Sequence, residues 1–194
     1  MTTTQLMMKG IYPFLKKITA WLNINNKTLT GNGNGNASFY QLTSILNTGQ
    51  PYNFNLLQGK KVLIVNTASN CGYTAQYDEL EKLYQLKKNE VEIIAFPAND
   101  FKEQEKASDE AIASFCKINY GISFALMKKV SVIKNNKQSE VYKWLTDSTQ
   151  NGWNDKAPNW NFCKYLVNEQ GMLTHVFEPS VSPLGTQIMN AVNN

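Results

Sequence analysis

Two short apolar runs constrain this chain most, Lys61-Val62-Leu63-Ile64-Val65 and Val91-Glu92-Ile93-Ile94-Ala95-Phe96. Runs of that length, rich in Val and Ile, read as strands buried on both faces. Between them Tyr77, Leu80, Leu83 and Tyr84 share one side of a helical stretch, with Asp78, Glu79 and Glu81 early and Lys87 and Lys88 late. That order of charge complements the helix macrodipole at both ends. Strand, helix and strand in this sequence close as a right-handed parallel crossover.

The rest of the chain extends the pattern. Phe39-Tyr40-Gln41-Leu42 and Tyr52-Asn53-Phe54, joined through Asn47-Thr48-Gly49-Gln50, read as an opening hairpin. Ser108 as N-cap, with Asp109 and Glu110 in the first turn, predicts a second helix to about Asn119. A strand at 130–133, a short helix at 139–146, strands at 163–167 and 173–177 and a final helix from about Pro183 complete the series. This is the order of an α/β thioredoxin fold with an N-terminal β-hairpin and helical additions.

Cys71 lies where the strand 61–65 runs out and the amphipathic helix begins. A thiol at a helix N-terminus meets free N–H groups and the positive end of the macrodipole, which favour the reactive thiolate. The expectation is a Cys71 that titrates below the ordinary value of about 8.5. The side-chain amides of Gln104 and Asn161 and the indole of Trp160 are donors that neither oxidise nor titrate near neutrality. Each has a plainer reading alone: a buried small cysteine, a solvated loop glutamine, a core tryptophan beside an asparagine turn.

Three blocks bind these residues together: NTASNCGYT at 66–74, FPANDF at 96–101 followed by Gln104-Glu105, and Trp160-Asn161-Phe162. Their order and spacing, 33 residues from Cys71 to Gln104 and 56 from Gln104 to Trp160, resemble the signature blocks of the glutathione peroxidases. The likeness runs from about Ser38 to the C-terminus. It implies a thioredoxin fold, a peroxidatic Cys71, and a catalytic tetrad of Cys71, Gln104, Trp160 and Asn161. It also implies reduction of hydrogen peroxide or organic hydroperoxides through a sulfenic acid. Ala98 stands where many members carry cysteine, and Asp100, Lys102 and Glu103 replace less charged residues. Ala125 stands where related bacterial sequences often have proline. The short stretch before Trp160 and the absence of arginine look like the monomeric branch that uses thioredoxin, so thioredoxin is the preferred reductant and glutathione the alternative. Cys116 is then the candidate resolving cysteine, while a buried helical cysteine is the plainer alternative. A redox sensor that relays oxidation to a partner, and a non-enzymatic binding module, remain open at this point.

Composition narrows the remaining classes. All 19 basic residues are lysine, and 15 acidic residues leave a net charge of +4. The lysines form no aromatic-interleaved stripe, which argues against nucleic-acid binding. Three cysteines, Cys71, Cys116 and Cys163, without a close pair argue against a disulfide scaffold or a zinc site, and no cofactor is implied. A reducing, cytoplasmic setting fits, and Cys163 reads as core. The single His175 is a strand residue far along the chain, too little for a cysteine–histidine hydrolase.

The chain divides into an amphipathic segment at 1–27, a Gly/Asn-rich flexible linker at 28–37 and a peroxidase domain at 38–194. The first segment is too short and too charged to span a membrane and lacks a convincing secretory signal. Its stripe of Ile11, Leu15, Ile18 and Leu22 reads as a helix docked on the domain or as a fraying extension. A membrane-surface contact of residues 1–24 is the less favoured alternative.

Overall fold

A computed structural model describes residues 1–194. In chain order the main helices are α1 (Thr3–Trp21), α2 (Gln76–Lys87), α3 (Asp109–Tyr120), α4 (Glu140–Leu145), α5 (Ser148–Asn151) and α6 (Thr186–Asn193). The strands are β1 (Thr28–Thr30), β2 (Thr43–Ile45), β3 (Pro51–Asn53), β4 (Lys61–Thr67), β5 (Val91–Pro97), β6 (Ala125–Leu126), β7 (Lys164–Val167) and β8 (Leu173–Phe177). No helix is long and apolar enough to cross a membrane.

The two apolar runs pair in parallel along their full length, from Lys61 opposite Val91 to Thr67 opposite Pro97. They form the centre of a six-stranded sheet ordered β1-β8-β7-β4-β5-β6. β6 extends the parallel side, while β7, β8 and β1 add in antiparallel sense. Period-two alternation divides β4 between two cores. Leu63 and Val65 pack with Leu80, Leu83, Ile112 and Ile188 on one face. Val62 and Ile64 pack with Phe39, Phe54, Tyr142 and Trp144 on the other. Both faces being covered explains why the run contains no alternation with polar residues.

Ser108 caps α3 as expected and Ser139 caps α4, their hydroxyls accepting from Ala111 N–H and Tyr142 N–H at 3.3 Å each. α3 stops at Gly121, whose φ of +60° ends the helix in the left-handed conformation. Other expectations need correction. The hairpin pairs Thr43–Ile45 with Pro51–Asn53, while Phe39–Gln41 makes a 3-10 turn capped by Ser38. Residues 130–133 contribute only an isolated bridge at Ser131, and β6 takes the sheet edge beside β5.

The segment expected to be a flexible linker is packed. Thr28–Thr30 pair with His175–Phe177 at the sheet edge. A Cβ built on Gly33 would lie 2.2 Å from Gly152 O, and one on Gly35 would lie 1.7 Å from Gln150 O. The glycines are there because two backbones touch, not because the chain must be loose. A boundary at Ser38 therefore cuts through the sheet.

α1 does dock on the domain, by a face other than the expected one. A capping box between Thr2 and Gln5 starts it. Tyr12 and Thr19 are buried and Leu15 is half-buried, whereas Ile11, Ile18 and Leu22 face solvent. Ion pairs Lys9–Asp78 (2.9 Å) and Lys16–Glu79 (2.8 Å) tie it to the first turn of α2.

Candidate active site

β4 delivers the chain to residues 68–75, a set of tight turns that carries Cys71. Thr74 organises this turn. Its Oγ1 accepts from Cys71 N–H at 3.0 Å and lies within donating reach of the Ala68 and Cys71 carbonyls, at 2.8 and 2.7 Å. α2 begins only at Gln76, so Cys71 precedes the helix by more than a turn instead of starting it. Its nearest backbone donor is Tyr73 N–H, 3.5 Å from Sγ.

The structure brings all four tetrad residues together. Asn161 is fully buried and half-buried Gln104 receives its side-chain N–H at 2.8 Å. Burial pushes the Cys71 thiol up from its ordinary value, while Tyr73 N–H, the Asn161 and Trp160 side chains and Gly72 N–H pull it down. Burial wins, which overturns the expected low titration. Gln104 is absent from the groups acting on the sulfur and reaches it only by orienting Asn161. Its own loop meets the cysteine turn through Asn70 N–H, which donates to Gln104 O at 3.1 Å.

Two residues inside the sequence blocks hold this arrangement without having been assigned roles. Asn66, at the end of β4, donates from Nδ2 to Trp160 O at 3.0 Å and accepts at Oδ1 from Cys163 N–H at 3.0 Å. It fixes both ends of the 160–163 segment, where Phe162 adopts a φ of +66°. Glu105 is fully buried and accepts from both Ser69 N–H (2.7 Å) and Ser69 Oγ (2.9 Å). Burial pushes its carboxyl up to about 7, against the pull of Ser69 and Lys129. Their presence in the blocks was the available signal.

The departures from the family pattern have structural places. Asp100 accepts from Ser131 Oγ and Val132 N–H at 2.8 Å each, anchoring the loop. Lys102 and Glu103 both have positive φ, and Lys102 Nζ lies 5.5 Å from the Trp160 ring centroid. Ala125 sits in β6 opposite Ile94.

Cys116 is buried on α3 in the same core as Cys71, beside the buried Tyr77 hydroxyl. Burial pushes its thiol up to about 12. All three cysteines are free, and Cys163 is buried next to the tetrad segment, its Sγ 3.2 Å from Asn159 Oδ1. His175 stacks on Phe177 and pairs with Thr174 Oγ1 on β8, with no part in the site. None of the surface cavities is lined by Cys71, Gln104, Trp160 or Asn161.

Comparisons with known proteins bear on this geometry. A family model described as glutathione peroxidase matches residues 39–146. The chain is 44% identical to the glutathione peroxidase-like peroxiredoxin HYR1 of Saccharomyces cerevisiae, over 76% of this chain and 90% of the relative. It is 42% identical to the glutathione peroxidase-like peroxiredoxin gpx1 of Schizosaccharomyces pombe, over 75% and 91%. Among solved structures, T. cruzi GPX1 is similar at a TM-score of 0.59 and 26% identity, covering 81% of this chain and 97% of that one. A DsbF homologue from Corynebacterium diphtheriae, 13% identical, matches at a TM-score of 0.61 over 86% and 90%, a likeness of thioredoxin-type fold alone.

Proposed function

The chain belongs to the glutathione peroxidase family and is a thiol peroxidase, and on that premise we propose that Cys71 is its peroxidatic nucleophile. The observation that carries this is the buried sulfur with Tyr73 N–H at 3.5 Å and with the Asn161 and Trp160 side chains pulling its titration down. The Cys71 thiolate attacks one peroxide oxygen. The O–O bond breaks, the distal oxygen leaves as water or an alcohol after taking a proton, and the sulfur becomes a sulfenic acid. Asn161, oriented by Gln104, and the Trp160 indole stabilise the anion before attack and the charge that moves onto oxygen during it.

Cys116 is the proposed resolving residue. Its sulfur attacks the Cys71 sulfenic acid, a disulfide forms and water leaves. Disulfide geometry requires the two Cα atoms to come within about 7 Å, so part of α3 must open to bring out a thiol buried against Tyr77. A dithiol then reduces the bond by exchange and is itself oxidised to a disulfide. Thioredoxin is the proposed reductant and the monomer the proposed working form. The chain has no arginine to grip glutathione carboxylates, and the second cysteine makes an internal disulfide available.

Peroxide-dependent NADPH oxidation, coupled to thioredoxin and its reductase or to glutathione and its reductase, tests this assignment. Faster turnover with thioredoxin, lost in Cys116→Ser, is the expected result. Equal turnover of Cys116→Ser with thioredoxin would remove Cys116 from the cycle.

A further inference from the structure

The resolving step proposed above needs a base. Cys116 must lose its proton to attack, yet burial pushes its thiol up to about 12, far above the range in which it would ionise unaided. Only one charged group acts on that sulfur, the carboxylate of Glu105.

Four polar groups from four segments meet in this part of the core. Glu105 is fully buried, and its Oε2 accepts from Ser69 N–H at 2.7 Å and Ser69 Oγ at 2.9 Å, two residues before Cys71. Its Oε1 has neither solvent nor a hydrogen-bond partner. The hydroxyls of Thr67, at the end of β4, and Tyr77, on α2, are equally enclosed and unpartnered. Tyr77 neighbours Thr67 and Cys116 and feels the charge of Glu105. Buried polar atoms are almost always paired, because leaving one unpaired is costly. Three unpaired oxygens gathered near one thiol therefore call for a chemical reason, and a free carboxylate oxygen is a proton acceptor.

The other titratable groups around Glu105 do not compete for this role. Lys129 Nζ donates to the Glu105 and Ala107 carbonyls at 3.3 and 2.6 Å, and Asp109 is taken up by Lys129 N–H at 2.7 Å. Burial outweighs the pull of Ser69 and Lys129 and brings the Glu105 carboxyl up to about 7, a useful strength for a base near neutrality.

We propose that Glu105 is the base of the resolving step, its Oε1 taking the Cys116 proton as α3 opens and the sulfur attacks the Cys71 sulfenic acid. The S–S bond forms as the S–O bond of Cys71 breaks, so the Cys116 sulfur is oxidised and the Cys71 sulfur reduced. The departing hydroxide takes a proton from solvent and leaves as water, and Glu105 gives its own proton to solvent. The Tyr77 hydroxyl, which pulls the Cys116 titration down, favours the anion along the way. The inference rests on the assignment of Cys116 as the resolving residue.

Single turnovers of the full chain with one equivalent of hydrogen peroxide separate the two steps. Peroxide consumption times the sulfenic acid, and acid quenching with peptide mapping times the Cys71–Cys116 disulfide. In the wild type the disulfide rate is expected to rise with pH through about 7 and then level off. Glu105→Gln keeps an oxygen for Ser69 but is no longer a base. It is expected to slow disulfide formation tenfold or more relative to sulfenic acid formation, and to remove the inflection near 7. An unchanged disulfide rate in this variant would overturn the proposal. Slowing of both steps in equal proportion would also overturn it, by giving Glu105 a structural role alone. A wild-type profile without the inflection would do the same even where the variant fails to fold. A wild-type chain that forms no Cys71–Cys116 disulfide would instead overturn the assignment of Cys116, and the base with it.

Discussion

At Cys71 burial and hydrogen bonding oppose each other, and burial prevails. Because only the thiolate attacks, both peroxide reduction and alkylation of Cys71 are expected to rise with pH through and beyond the ordinary thiol value of about 8.5. Iodoacetamide kinetics would check this; a rate already level below neutrality would contradict it. Cys71→Ser is expected to abolish peroxide reduction and Cys163→Ser to leave most of it, measured in the thioredoxin-coupled assay. Asn161→Ala removes a donor to a charged group, worth about 1.5–3 kcal/mol, and is expected to slow turnover roughly tenfold or more. Gln104→Ala acts through Asn161 and is expected to cost less. The four residues could be grouped from sequence only through the resemblance of their three blocks to the glutathione peroxidases; singly, Gln104 and Asn161 have plainer readings. Asn66, Thr74 and Glu105 lie in the same blocks with no role assigned. Their partners are mostly backbone groups, those of Asn66 and Glu105 lying in segments far along the chain, and sequence alone does not state which carbonyl or N–H a side chain will meet.

Among the elements, the central crossover, the Ser108 cap and β8 were readable from periodicity and capping chemistry, which act over a few residues. Three features were not. The start of α2 slipped to Gln76 because Thr74 stabilises a non-helical turn ahead of it. Two apolar stripes on α1 left sequence unable to say which one docks, since that depends on the surface beneath. The glycines at 31–35 looked like a linker because close backbone packing and looseness both call for the absence of a side chain. Gly33→Ala separates these meanings. In a loose linker it is neutral or slightly stabilising. Here the contact with Gly152 predicts a loss of about 1–3 kcal/mol, measured by urea denaturation. Removal of residues 1–26 is expected to preserve the domain, whereas removal of 1–36 strips β1 from β8. It also loses the bonds of Gly31 N–H to Thr174 O and Asn36 N–H to Thr149 O, each worth about 0.5–1.5 kcal/mol. Thermal melts of the two truncations would show the difference.

Over the whole molecule, two buried charges set the response to pH. Glu105 is pushed up to about 7, so the stability tied to its neutral form is complete below the ordinary carboxylate range and is lost as pH rises through about 7. Lys164, fully buried and donating to Pro179 O (3.0 Å) and Val181 O (2.6 Å), is pushed down by burial from 10.5 to about 7. Between those values the unfolded chain holds a proton that the fold has released, so this lysine makes stability rise with pH from about 7. Above the ordinary thiol value of about 8.5 the raised Cys116 thiol acts in the opposite sense and cancels the rise. The slopes predict a minimum near neutrality, and denaturation across the pH range should show the rise between about 7 and 8.5 vanish in Lys164→Met. Such buried charges defeat reading from sequence, because a lysine in an apolar strand looks like any edge lysine. β1 has a mechanical consequence of its own. With Thr28–Thr30 fixed to the sheet and the Ile24 and Asn25 carbonyls held by Ser180, a pivot for α1 falls at Asn23, whose φ is +52°. A 19-residue helix is a lever arm about 28 Å long. A tilt of about 20° about that pivot would carry the Thr3 end roughly 10 Å while the Trp21 end stays almost still. Any such rotation is geared: Gln5 and Met8, which lie over the cysteine turn, would travel far for a small tilt, while Thr19 would stay almost in place.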